Sequence, residues 1–271
     1  MKKSTDTRKS RVNYIERPPP KELRSYVEKI WDFYSPEITP HYDYVLNADY
    51  TSSILVYLNP DNAPQIFVTG PNISSQPLGV AGFTRIIGIR FHPPMLPVLL
   101  RSKPADMLNK FSTLTKFIGN LKYKVLQKEI SKAKVGLQVI SVMKEFLLAE
   151  GHCIKATDDD FIRVLKRIQT EEGNVKMEQI YGEQKLSIRQ FQRIFVARTG
   201  LSAKEFCRLV RLRCSINRLV KENFDHFDVI FKSGYYDQSH YYREFKEILG
   251  MLPSCFEKRQ RTIIHKKLID K

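Results

Sequence analysis

The chain is poor in the residue patterns that carry enzyme chemistry. Its six histidines (His41, His92, His152, His226, His240, His265) form no HxH or HExxH pair, so a metal-binding cupin site has poor sequence support. Its four cysteines (Cys153, Cys207, Cys214, Cys255) include no CxxC. Cys207 and Cys214 fall two helical turns apart and read as small apolar residues, and no disulfide is expected. No glycine-rich phosphate loop occurs among the glycines. There is no run of eighteen apolar residues, and the opening MKKSTDTRKS runs into RVNYIERPPP with no apolar core between them. These absences predict no enzyme, no cofactor, no metal and no membrane contact, in a protein located in the cytoplasm.

Acidic side chains are scarce too, at 29 against 45 Lys and Arg, a formal net charge of +16. An excess of this size favours a polyanionic partner. The charge is directed rather than uniform. Residues 30–100 hold two basic and five acidic side chains, and the surplus sits in the N-terminal tail and in the segments that read as helical.

What the chain does have is a repeat near its C-terminus. Residues 186–206 read LSIRQFQRIFVARTGLSAKEF and residues 236–256 read YDQSHYYREFKEILGMLPSCF. At an offset of fifty, Ser187 falls on Asp237, Phe191 on Tyr241, Arg193 on Arg243, Phe195 on Phe245, Gly200 on Gly250 and Phe206 on Phe256. Each copy starts on a side chain that can accept from a free first-turn N–H, and each stops at a glycine suited to the left-handed turn past a helix end. Two copies are too few for a solenoid, which leaves a duplicated helical module. At about 100° per residue, Phe191, Ile194 and Phe195 share one face of the first helix, and Arg189, Gln192 and Arg193 lie on the other. In the second copy Tyr241, Phe245, Ile248 and Leu249 lie opposite Ser239, Tyr242, Arg243 and Lys246. Arg matches the paired acceptors of guanine, and Gln, which both donates and accepts, matches the acceptor and donor of adenine. A single such helix reads more readily as a solvated polar face; two in one register, each preceded by a short helix and turn, favour base reading.

The run GYYDQSHYYREFK with Gly250, Pro253 and Phe256 behind it resembles the second helix-turn-helix of the AraC/XylS regulators, and Leu186–Ser202 resembles the first. Together they cover roughly residues 160–258. The resemblance implies an all-α domain of two helix-turn-helix units joined by a long linker helix. Its two recognition helices would enter successive major grooves about 34 Å apart. By position it implies Arg189, Gln192, Arg193, Gln238, Ser239, Tyr242 and Arg243 as base-reading candidates. Lys246, a turn further on, and Arg208, Arg211 and Arg218 of the linker helix are the phosphate candidates. The chain departs from the family pattern at Tyr181 and Ile230, where alanine is usual, and at Lys185, Ser215 and Leu252. Bulk at these helix crossings predicts axes pushed apart.

The expected fold class is therefore α+β. Residues 1–17 read as a disordered basic tail and 18–152 as a sensory or dimerisation domain. The double helix-turn-helix domain follows over 158–258, with a second basic tail at 259–271. Strand-like runs at Ile30–Tyr34, Ser53–Leu58, Gln65–Thr69 and Thr84–Phe91 predict a small barrel or sandwich, with Trp31, Tyr57, Phe67 and Phe91 as an apolar interior for a weakly polar ligand. The run Gly88–Pro94 resembles N-terminal domains of some AraC-like regulators. A helical connector follows, whose stripe of Ile140, Met143 and Leu147 fits core packing and dimer contact equally. The interdomain boundary is expected at His152–Thr157, with Asp158, Asp159 and Asp160 capping the next helix. Double-stranded DNA is the expected partner, joined by RNA polymerase, a small-molecule effector or a second copy of the chain as further options. Two rival readings are a degenerate regulator acting through protein contacts and an enzyme built on the barrel.

Overall fold

A computed structural model describes residues 13–34, 42–59, 61–80, 85–133, 135–151, 159–183, 186–220 and 225–258. Both tails, the boundary His152–Thr157, Asp158, Lys185 and His41 lie wholly or largely outside them.

The N-terminal half holds strands β1 (Asn13–Arg17), β2 (Val27–Tyr34), β3 (Tyr42–Leu46), β4 (Ser52–Asn59), β5 (Asn62–Thr69), β6 (Gln76–Val80), β7 (Arg85–Phe91) and β8 (Phe111–Thr113). Six of them make one antiparallel sheet in the order β1-β2-β7-β4-β5-β8, and β3 pairs with β6 in a separate ribbon. The sheet is open among the described residues, so the expected barrel or sandwich resolves into a sheet plus a ribbon.

The apolar runs SILVYL and RIIGIRF are nearly continuous because their strands are covered on both faces, and side chains alternate between the two. Ile54, Val56, Ile66, Val68, Ile87, Ile89 and Phe91 join the main core with helices α1 (Met95–Leu99), α2 (Thr115–Ser131) and α3 (Gly136–Gly151). Trp31, Phe33, Leu55, Tyr57 and Ile86 form the other face with Phe67 and Phe111. The four aromatics expected to line one interior are therefore split, Phe91 lying on the helix side. The other three belong to a cluster whose rings pack on one another, Phe67 stacking on Phe111 at 4.5 Å and standing edge-on to Tyr57 at 5.2 Å. Trp31 lies flat on Gly88, where an added Cβ would stand 2.0 Å from the indole ring. Ile140, Met143 and Leu147 are buried in the main core, so intrachain packing accounts for that stripe.

Among the described residues the C-terminal half is all helical: α4 (Asp159–Thr170), α5 (Met177–Glu183), α6 (Ile188–Thr199), α7 (Ala203–Val220), α8 (His226–Lys232) and α9 (Gln238–Leu249). One core unites them, built from Phe161, Phe191, Phe195, Phe206, Tyr241, Phe245 and their neighbours. Tyr50, from the turn before β4, is buried in that same core.

Candidate nucleic-acid interface

The two units are α5–α6 and α8–α9. Helices α6 and α9 span 188–199 and 238–249, so the fifty-residue offset of the sequence carries over residue for residue. Ser187 caps α6 in a reciprocal pair: its Oγ accepts from the Gln190 N–H at 3.2 Å, while its own N–H donates to Gln190 Oε1 at 3.0 Å. Asp237 caps α9, accepting from the His240 N–H at 2.7 Å. Each helix closes on a left-handed glycine, Gly200 at φ 80° and Gly250 at φ 73°.

The buried faces are the predicted ones. Phe191 and Phe195 pack inward from α6, and Tyr241, Phe245, Ile248 and Leu249 from α9. Outward stand Arg189, Gln192 and Arg193 on α6, and Gln238, Ser239, Arg243 and Lys246 on α9. Among the described residues these seven have no intrachain side-chain partner. Tyr242 is half-buried, its ring 5.7 Å from Tyr241 and 6.3 Å from His226.

Of the departures from the family pattern, Tyr181 and Ile230 have packing partners within the chain. Tyr181 is half-buried and meets Phe191 edge-on at 5.0 Å, and Ile230 is buried in the shared core. The Ser215 hydroxyl, fully buried, donates to the Leu212 carbonyl at 2.7 Å. Leu252 is exposed.

The linker helix α7 differs from its expected layout. It buries Phe206, Leu209, Leu212 and Leu219 in the shared core, and the three phosphate candidates it carries are engaged within the chain. Arg208 donates to Glu244 Oε2 at 3.0 Å and pairs with Glu247 at 3.1 Å, both on α9. Burial works against its charge, but these two carboxylates outweigh it and hold its pKa above the usual arginine value. Arg211 donates to the Gly173 carbonyl at 3.2 Å and lies 5.5 Å over the Tyr235 ring. Arg218 pairs with Glu172 and donates to Ser233 Oγ at 3.1 Å. Since Glu172 and Gly173 lie in the turn leading into the first unit while Ser233 and Tyr235 belong to the second, Arg211 and Arg218 tie that turn to the second unit. Tyr235 adds a hydrogen bond from its hydroxyl to the buried Glu244 at 3.2 Å, and burial raises its pKa. Burial likewise pushes the Cys207 thiol up to about 11, in keeping with a small core residue.

Sequence reasoning passed over Arg213, also on α7. It pairs with both carboxylate oxygens of Glu28 in β2, lies 3.8 Å from Asp49, and stands 5.1 Å over the Tyr50 ring. Arg90 holds the other oxygen of Asp49 at 3.2 Å. Burial alone would raise the Asp49 pKa, but the two guanidiniums outweigh it and set the carboxyl below its ordinary range. The only available signal was compositional: acidic residues gather in the β-rich segment and basic ones in the helical domain. Among the described residues no group of His, Cys, Asp and Glu could hold a metal ion, and no helix is long and apolar enough to cross a membrane.

Comparison with known proteins fits this geometry. Residues 183–259 match a family described as a helix-turn-helix domain, and residues 15–113, nearly the span of the sheet, match a domain of unknown function, DUF6597. No curated protein matches the chain. Among solved structures, ToxT from Vibrio cholerae is 12% identical over 92% of this chain and 97% of its own, with a TM-score of 0.43. Wild-type ToxT from the same organism, bound to unsaturated fatty acid, is 13% identical over 92% and 95%, with a TM-score of 0.42. The C-terminal domain of AraT, a response regulator from Geobacillus stearothermophilus, is 16% identical over 39% of this chain and 88% of its own, with a TM-score of 0.36. The family match, together with two capped helices repeated in register, identifies the C-terminal part of this chain as a helix-turn-helix domain of the AraC type, the domain of DNA-binding regulators.

Proposed function

We propose that the protein is a sequence-specific DNA-binding transcriptional regulator that reads two successive major grooves with α6 and α9. One observation carries this reading. Two helices in one register each turn a stripe of exposed hydrogen-bonding side chains away from a shared core, and those side chains have no intrachain partner among the described residues. Arg189, Gln192 and Arg193 read base edges from α6; Gln238, Ser239, Tyr242 and Arg243 do so from α9. Tyr242, half-buried, suits apolar contact with a thymine methyl or a sugar better than bidentate readout.

Phosphate contact falls to Lys246, which is exposed and lacks the planar fork of arginine. Arg208, Arg211 and Arg218 are engaged within the chain and serve the spacing of the units instead. The N-terminal domain modulates the reading heads through its contacts with α7.

Selection of bound sites from a random duplex pool tests the reading, with two half-sites about one helical turn apart expected. Replacing Arg193 by Ala should cost about 1–3 kcal/mol on the selected site and relax preference at one base pair. Lys246→Ala should weaken all duplexes alike and lower the salt slope by about one unit. A pool that yields no enriched motif would move the function from DNA reading to protein interaction.

A further inference from the structure

Among the described residues the N-terminal domain meets the helix-turn-helix domain at several places, and three of them bear on α6, α7 and α9. At the C-terminal end of α6, the backbone of Pro104 lies against Gly200, where an added Cβ would come within 3.3 Å of the Pro104 carbonyl group. At the C-terminal end of α9, the Ser75 N–H donates to the Ile248 carbonyl at 2.8 Å. Between them, Tyr50 packs on Phe206 of α7 at 4.9 Å, and Glu28 and Asp49 hold Arg213 two turns further along that helix. Leu108 and Ala48 add apolar contact to the same core. Both recognition helices are thus touched at the ends away from their first turns, and the helix joining them is gripped between. Their N-terminal turns, with Arg189, Gln238 and Ser239, stay exposed.

We infer that the N-terminal domain is a brace that presets the separation and angle of the two recognition helices, with Arg213 and Glu28 as its positioning residues. This rests on the DNA-reading function proposed above. A binder whose two reading ends are already set loses less freedom on association, so the benefit is confined to DNA that engages both units. A single half-site uses one unit and gains nothing from the brace. The role assigned to Arg213 is therefore unlike a phosphate contact, which would strengthen every duplex.

The test cuts the same ion pair from both sides in the full-length chain. Arg213→Met keeps the aliphatic stem and removes the charge; Glu28→Gln leaves the helix-turn-helix domain chemically untouched. Each variant should lose about ten-fold in affinity for the two-half-site duplex. Each should keep wild-type affinity for a duplex with one half-site and tolerate a spacer altered by one base pair better than wild type. Arg213→Lys, which keeps the charge but not the fork, should fall between. A phosphate role for Arg213 predicts instead that Glu28→Gln tightens all duplexes.

A second readout needs no DNA. Spin labels on unnatural keto side chains at the exposed positions Ala197 of α6 and Lys246 of α9 should give one narrow distance distribution in the wild-type background. The distribution should broaden when Arg213→Met or Glu28→Gln is added. Unchanged distance distributions, unchanged two-site affinity, or equal losses on one-site and two-site duplexes would each overturn the brace. Failure of the wild-type chain to select any duplex would refute the DNA reading, and the label distances would still decide whether the brace exists.

Discussion

Replacing Tyr50 by Ala should uncouple the two halves of the molecule. The side chain is 7% exposed, although it comes from a turn of the N-terminal half and its ring neighbours lie on α7. It meets Phe206 at 4.9 Å and carries the Arg213 guanidinium at 5.1 Å. Truncating a buried aromatic costs about 3–5 kcal/mol through lost transfer energy and the cavity left behind. Loss of a partly buried cation–π contact adds about 0.5–2 kcal/mol. Because Tyr50 bridges two cores, most of this should appear as lost coupling. Two probes separate the halves. Trp31, the one tryptophan of the chain, reports the sheet by fluorescence, and helical circular dichroism is weighted toward the C-terminal domain. In wild type the two denaturant transitions should coincide; in Tyr50→Ala they should part, the helical transition moving to lower denaturant. Tyr50→Phe, which keeps the ring, should stay within about 1 kcal/mol of wild type. Coincident transitions with unchanged midpoints in Tyr50→Ala would refute the coupling.

The interdomain charges set a pH window. Asp49 is held below its ordinary range, so its contribution is present above about pH 4 and fades as pH falls through the lowered folded value. Tyr50 is pushed up to about 12, chiefly by burial, so its contribution is present below about pH 10 and is lost as pH rises toward the folded value. Thermal midpoints from pH 3 to 11 should therefore plateau between those limits, and Asp49→Asn should flatten the acid limb. Replacing Ser187 or Asp237 by Ala removes an N-cap and should cost about 1 kcal/mol in chemical denaturation. Gly250→Ala forces a side chain into a left-handed turn with open space around it, so it should cost about 1 kcal/mol of strain and no steric clash. Gly200→Ala should cost more, because Pro104 stands in the way.

Local physics made the two repeated helices legible. Ser187, Asp237, Gly200 and Gly250 act within four residues of themselves, and the inward and outward faces of α6 and α9 follow from helical spacing alone. The arginines of α7 were harder, because spacing tells which side of a helix a residue occupies but not what comes to meet it. Arg208, Arg211 and Arg218 suit phosphate contact by position; their partners Glu244, Gly173 and Glu172 lie 36 to 46 residues away in sequence. Arg213 and Glu28 are 185 residues apart and belong to different domains, so no local rule joins them. Closure of the sheet lies beyond local reading for the same reason: the four strand runs fall within a few residues of observed strands, but closure depends on which strands pair, and β7 sits between β2 and β4. Tyr181 is a departure whose contact partner, Phe191, spacing alone does not name; the two rings meet edge-on.

The contact between Trp31 and Gly88 bears on how this chain can vary. The indole rests where any β-carbon at position 88 would have to be. Positions 31 and 88 sit opposite each other in the β2–β7 register, so the strands cannot separate locally to make room without disturbing the ladder. A saturation library should therefore tolerate nothing but glycine at 88 while tryptophan holds 31. The bar should lift only in double variants that carry a smaller residue at 31, so the two sites should behave in a lineage as one inherited character rather than two.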